Sequence, residues 1–106
     1  MQAVYHPKVL SEDIPRLNKN IAERIKKAIE QRLMAAPEKY GARLRKGLGG
    51  YWKLRAGDYR VIYKIAESRH SAEIRPFGRG SVEQEVRIMV IGHRKDVYSE
   101  AGSRIY

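Results

Sequence analysis

The chain contains no cysteine. Disulfides and thiolate metal sites are therefore excluded, and stability has to come from packing. No HExxH or comparable ligand spacing joins His6, His70 and His93, so no metal site is expected. Gly47-Leu48-Gly49-Gly50 lacks the lysine and hydroxyl ending of a phosphate-binding loop. No nucleophile-elbow motif marks a serine. No apolar run approaches the ~18 residues needed to span a bilayer, and MQAVYHPKVL lacks the basic-then-apolar layout of a signal peptide. The expectation is a cytoplasmic protein without membrane contact and without a cofactor. At 106 residues it forms one domain, 1–106, with a single core.

Acidic residues are also scarce, 12 against 22 Lys and Arg, for a formal charge of +10. The excess is local. Residues 1–38 hold seven basic and five acidic residues, and residues 65–106 hold seven and six. Between them, Lys39, Arg43, Arg45, Lys46, Lys53, Arg55, Arg60 and Lys64 face Asp58 alone. A charge excess concentrated in one folded segment is the electrostatic footprint of a nucleic-acid binder.

That segment contains the clearest structural signal, Tyr51 to Ile65, YWKLRAGDYRVIYKI. Gly57-Asp58 closes two strands through a two-residue loop. The loop sets Ala56 opposite Tyr59, Arg55 opposite Arg60, Leu54 opposite Val61, Lys53 opposite Ile62 and Trp52 opposite Tyr63. Side chains alternate with period two. One face then collects Trp52, Leu54, Ala56, Tyr59, Val61, Tyr63 and Ile65, and the other Lys53, Arg55, Arg60 and Lys64 with Tyr51 and Ile62. A one-residue slip would mix the two sets. Arg55 facing Arg60 costs stability unless an anion intervenes.

Around the hairpin, Gln2 to His6 reads as a short strand ended by Pro7. Ser11 is a candidate helix cap followed by Glu12 and Asp13, and Asn20 with Glu23 marks a second start. Ile21, Ile25, Ala28, Ile29 and Leu33 trace one helical face, stopped at Pro37. Tyr40 to Gly50 is a basic connection. Ser68 to Glu85 reads as a loop or strand extension with Ile74 and Phe77 as anchors. Val86 to Ile91 is a central strand, and Val97 to Ile105 a short helix or tail. The layout is α+β, an N-terminal helical hairpin packed on one face of a small antiparallel sheet.

Phosphodiester cleavage without a metal needs a base for the attacking hydroxyl, cations for the developing charge and a proton donor for the leaving oxygen. RNA supplies its own nucleophile in the 2′-hydroxyl. Arginine matches phosphate geometry and stays protonated, and tyrosine can stack on a base. The basic sheet face, with Arg94, Lys95 and Tyr98 beyond the next strand, offers these groups.

KLRAGDYRVIYKI followed by VIGHRKDVYSEA resembles the RelE/ParE superfamily of toxin–antitoxin toxins, specifically the RelE-type ribosome-dependent mRNA interferases. The resemblance implies a RelE/ParE-like fold and cleavage of mRNA in the ribosomal A site. It implies catalytic roles for Lys53, Arg60, Arg94 and Tyr98 and an RNA contact from Arg55. Arg45, Lys46, Lys64 and His93 are further candidates for RNA binding. The resemblance also implies a cognate acidic, RelB-like antitoxin in a hetero-oligomeric complex. Two positions depart from the family pattern: Tyr51 and His93 stand where lysines are common. The alternatives are a ParE-like inhibitor of DNA gyrase without nuclease activity and a non-catalytic RNA-binding module, since one fold serves several functions.

Overall fold

Pro7 sets the first change of direction. In the computed structural model, which describes residues 2–45, 47–67 and 84–105, strand β1 (Gln2–Tyr5) ends just before it and the chain turns into helix α1. α1 is widely wound over Val9–Asp13 and α-helical over Ile14–Arg16. Helix α2 follows over Lys19–Ala28 and continues, again widely wound, over Ile29–Leu33. Its buried residues Ile25, Ile29 and Leu33 are four apart, a spacing that drifts by about 40° per step on a regular α-helix. The wider winding from Ile29 keeps them inward.

Three expected boundaries move. Ser11 lies inside α1 and caps nothing. α2 is capped by Asn18 rather than started at Asn20; the extended backbone of Asn18 lets its side chain accept a hydrogen bond from Ile21 N at 2.9 Å. Pro37 does not stop α2, which has already ended. It opens the short helix α3 (Pro37–Tyr40) at the first helical position, where no N–H is needed.

The remaining elements are β2 (Ala42–Arg43), β3 (Trp52–Ala56), β4 (Tyr59–Glu67), β5 (Gln84–His93) and helix α4 (Val97–Ile105). The strands form one sheet in the order β1-β5-β4-β3-β2. β1 runs parallel to β5, and every other pair is antiparallel. The β3–β4 hairpin has the expected register at all five positions, Arg55 opposite Arg60 included. β5 begins at Gln84, so for Gln84 and Glu85 the strand-extension reading holds. The rest of the segment read as a loop or strand extension, with Ile74 and Phe77, lies outside the described residues.

Helices cover both faces of the sheet, not one. Leu54, Val61, Tyr63, Val86, Ile88 and Ile91 pack against Val9, Ile25, Ile29 and Leu33 of α1 and α2. On the basic face, fully buried Ile62 and Val90 receive Val97 and Ala101 of α4. β5 serves both layers because of a bulge. Ile62 pairs with Val90 but Tyr63 with Ile88, which leaves Met89 unpaired and reverses the alternation beyond it.

Beyond the end of β1, a buried ion pair takes over the edge of β5. Asp13 accepts hydrogen bonds from Arg104 at 2.7 and 3.0 Å and from the backbone N of Ile91 at 2.9 Å. Arg104 also donates to the Met89 carbonyl at 2.9 Å. One bidentate pair thus satisfies backbone groups flanking the bulge and ties α1, β5 and α4 together. Hydrogen bonding to Asp13 holds the Arg104 guanidinium above its ordinary pKa, against a smaller lowering by burial.

Candidate active site

The hairpin turn builds the site. Gly57 adopts φ +63°, a left-handed conformation that glycine takes at little cost. The turn directs its carbonyls at two arginines. Arg60 Nη1 donates to Gly57 O and Tyr59 O, both at 2.8 Å. The backbone N of Arg94 donates to Asp58 O at 2.8 Å, and the Arg94 side chain approaches the Asp58 carboxylate at 3.9 Å. The close facing of Arg55 and Arg60 is relieved because the Arg60 guanidinium folds onto the turn. Arg60 is only 8% exposed, yet no buried side-chain nitrogen or oxygen among the described residues lacks a partner. Its remaining N–H groups, with no partner among those residues, are therefore reachable by solvent or ligand.

These residues open on a cleft of about 660 Å³, lined by Lys53, Arg55, Arg60, Arg94, Lys95 and Tyr98 with Tyr40, Gly41 and Ala42. Lys53 Nζ lies 5.8 Å from the centre of the Tyr98 ring, a cation–π distance. Tyr98 is half-buried, with one edge against the Ile62 and Val97 cluster and the other on the cleft. The four predicted catalytic residues thus meet in one place, drawn from β3, β4, the end of β5 and the first turn of α4. Among the described residues, Asp58 is the one acid ion-paired with any of the four, and it is loosely held and exposed. The cleft presents convergent positive charge to a ligand.

The wall at Tyr40–Ala42 carries no signal in the sequence. Ala42 pairs with Lys53, which brings half-exposed Tyr40 to the rim. Gly41 is required there: a Cβ would coincide with the phenol oxygen of Tyr63. Tyr63 is fully buried and donates to Pro37 O at 2.6 Å, and burial pushes its phenol up to about 12. The neutral phenol of the core thereby fixes the wall of the cleft.

Three other predicted contacts, Lys64, Arg45 and His93, do not line the cleft. Lys64 covers the Tyr51 ring at 5.8 Å, and Tyr51 packs on the second apolar cluster. Arg45 is exposed on the connection after β2, and Lys46 lies outside the described residues. His93 pairs with Tyr59 and meets its ring edge-on at 5.6 Å; the bulge turns it to the face covered by α1 and α2. Among the described residues no three His, Asp or Glu side chains gather at a metal-binding distance.

A family model described as the ParE toxin of type II toxin–antitoxin systems, parDE, matches residues 4–98. The chain belongs to the RelE/ParE superfamily of toxins. This toxin is 35% identical over 71 residues to Toxin RelE of Mycobacterium tuberculosis strain ATCC 25618 / H37Rv, covering 67% of this chain and 73% of that protein. Its fold resembles the toxin–antitoxin complex RelBE2 from M. tuberculosis, with TM-score 0.67, 22% identity and coverage of 88% and 96% of the two chains. It also resembles the YoeB/ParE toxin from Agrobacterium tumefaciens, with TM-score 0.58, 17% identity and coverage of 88% and 98%. The toxin's α+β architecture is that of the superfamily. No helix among the described residues is long and apolar enough to cross a membrane.

Proposed function

We propose that this toxin is a ribosome-dependent endoribonuclease that cuts mRNA in the A site without a metal. The observation that carries this reading is the convergence of Lys53, Arg60, Arg94 and Tyr98 on one cleft, with both arginines anchored to the hairpin turn. The 2′-oxygen of the message forms a bond to the adjacent phosphorus as it loses its proton. The bond to the 5′-oxygen breaks, and that oxygen leaves as a hydroxyl. The products are a 2′,3′-cyclic phosphate, or the 3′-phosphate from its hydrolysis, and a 5′-hydroxyl. Arg60 and Arg94 stabilise the charge on the pentacoordinate phosphorus. Lys53 contacts the phosphate or moves a proton, and Tyr98 stacks on a base or accepts the proton of the 2′-hydroxyl. The half-exposed ring of Tyr40 offers a second stacking surface. An acidic, RelB-like antitoxin neutralises the toxin by covering the basic face or displacing α4.

A second reading, gyrase inhibition without RNA cleavage, is favoured by the ParE description of the matching family model. Parallel assays separate the two. Programmed ribosomes treated with the toxin should yield a message cut within the A-site codon, while gyrase–DNA cleavage complexes should not accumulate. The reverse outcome would establish the second reading.

A further inference from the structure

Helix α2 carries a second basic surface outside the cleft. Arg24, Lys27, Gln31 and Arg32 fall on one flank at helical spacing, and together with Arg55 and Gly57 they line a groove of about 250 Å³. The acids of α2 keep to its other flank, where Glu23 borders an apolar groove beside Tyr5 and Glu30 acts on the Tyr5 phenol. None of the four cations of the basic groove is ion-paired among the described residues. Like charges one turn apart repel, and although Glu23 and Glu30 each lie one turn from Lys27, the stripe keeps a net positive charge. This groove adjoins the cleft. Arg55 lines both, and the Arg24 guanidinium comes within 3.9 Å of where a Cβ would stand at Gly57. No aromatic ring lines it, so it offers phosphate contacts without base stacking.

We infer that this groove holds the sugar–phosphate backbone of single-stranded RNA running on from the segment in the cleft. The inference rests on the reading of the cleft as an RNA site. Its occupant is the substrate strand itself because the positive surface is continuous around the hairpin turn through Arg55. Contact is independent of sequence, and it lengthens the footprint of the toxin beyond the nucleotides at the reacting phosphate.

The test uses 2′-O-methylated RNA, which lacks the nucleophile, and measures binding by anisotropy across a salt series. The ligands are a trinucleotide, a single strand of about twelve nucleotides and an RNA duplex of similar length. Each lost phosphate contact lowers the slope of log affinity against log salt by about 0.7 for a single strand. The variant Arg24→Gln/Lys27→Gln/Arg32→Gln should therefore lose about two units of slope on the longer strand, with trinucleotide affinity kept within about twofold. Equal slopes for variant and wild type on the longer strand would overturn the inference. So would an effect confined to the duplex, which would assign the groove to folded RNA. Failure of the cleft reading is distinct: there the trinucleotide would bind Arg60→Gln as tightly as wild type.

Discussion

Replacing Asp13 tests how the toxin holds the helix that carries Tyr98. The Asp13 side chain is 0% exposed and the Arg104 side chain 7%. Asp13→Ala strands a buried guanidinium and leaves the Ile91 N–H without its acceptor. Removing one partner of a buried pair costs about 3–5 kcal/mol. Glu12, whose carboxylate already lies 3.9 Å from Arg104, can take up part of the charge and places the expected loss near 3 kcal/mol, the low end of the range of about 3–5. That is a large share of the about 5–15 kcal/mol that stabilises a domain of this kind. The double variant Asp13→Leu/Arg104→Met should recover only part of the loss, because Met89 O and Ile91 N–H both lose a partner at about 1–3 kcal/mol each. Asp13→Asn keeps an acceptor for Ile91 and should fall between wild type and Asp13→Ala. Urea unfolding followed by the fluorescence of Trp52, the one tryptophan, measures all four proteins. A cost below about 1 kcal/mol for Asp13→Ala, the range of exposed pairs, would refute the reasoning.

Tyr63 sets an alkaline limit. Its phenol, raised from 10.0 to about 12 by burial, stays neutral in the fold while the unfolded chain ionises first. The resulting stability, about 2.7 kcal/mol at most, is present below pH 10 and is lost as pH rises from 10 towards about 12. Tyr63→Phe should flatten this part of the stability–pH profile and cost about 1 kcal/mol at neutral pH through the lost bond to Pro37; an unchanged profile would contradict the assignment. Gly41→Ala forces a methyl group onto the Tyr63 phenol and should cost about 1–3 kcal/mol, read as a lower urea midpoint. An unchanged midpoint would show that the wall adapts freely. Lys53→Met removes the cation over Tyr98 and should weaken cleavage on ribosomes while leaving the urea midpoint within about 0.5 kcal/mol.

The hairpin was legible because its signals are local and agree. A glycine turn, a period-two pattern and segregated charge all specify the same register, and Lys53, Arg55 and Arg60 follow from it at once. Helix caps were less legible, since Ser11, Asn18 and Asn20 all have capping side chains and only the backbone at Asn18 suits the role. The Asp13–Arg104 pair joins residues 91 apart in the chain and leaves no local pattern. The bulge was equally hidden. VRIMVI is apolar on both faces with or without an extra residue, yet the bulge decides that Gly92 faces Arg60 and that His93 turns towards Tyr59. Tyr40 and Gly41 reached the cleft only through a strand pairing and a buried phenol, neither of which a sequence pattern announces.

The central claim is that Arg60 and Arg94 stabilise a phosphoryl transition state in one cleft. It is tested most directly by mapping the ends of a message on programmed ribosomes with wild type, Arg60→Ala and Arg94→Ala. Wild type should leave a 2′,3′-cyclic phosphate or 3′-phosphate facing a 5′-hydroxyl within the A-site codon. Each variant should cut about 10²–10³-fold more slowly at an unchanged position. An intact message with wild type, or equal rates with both variants, would contradict the account.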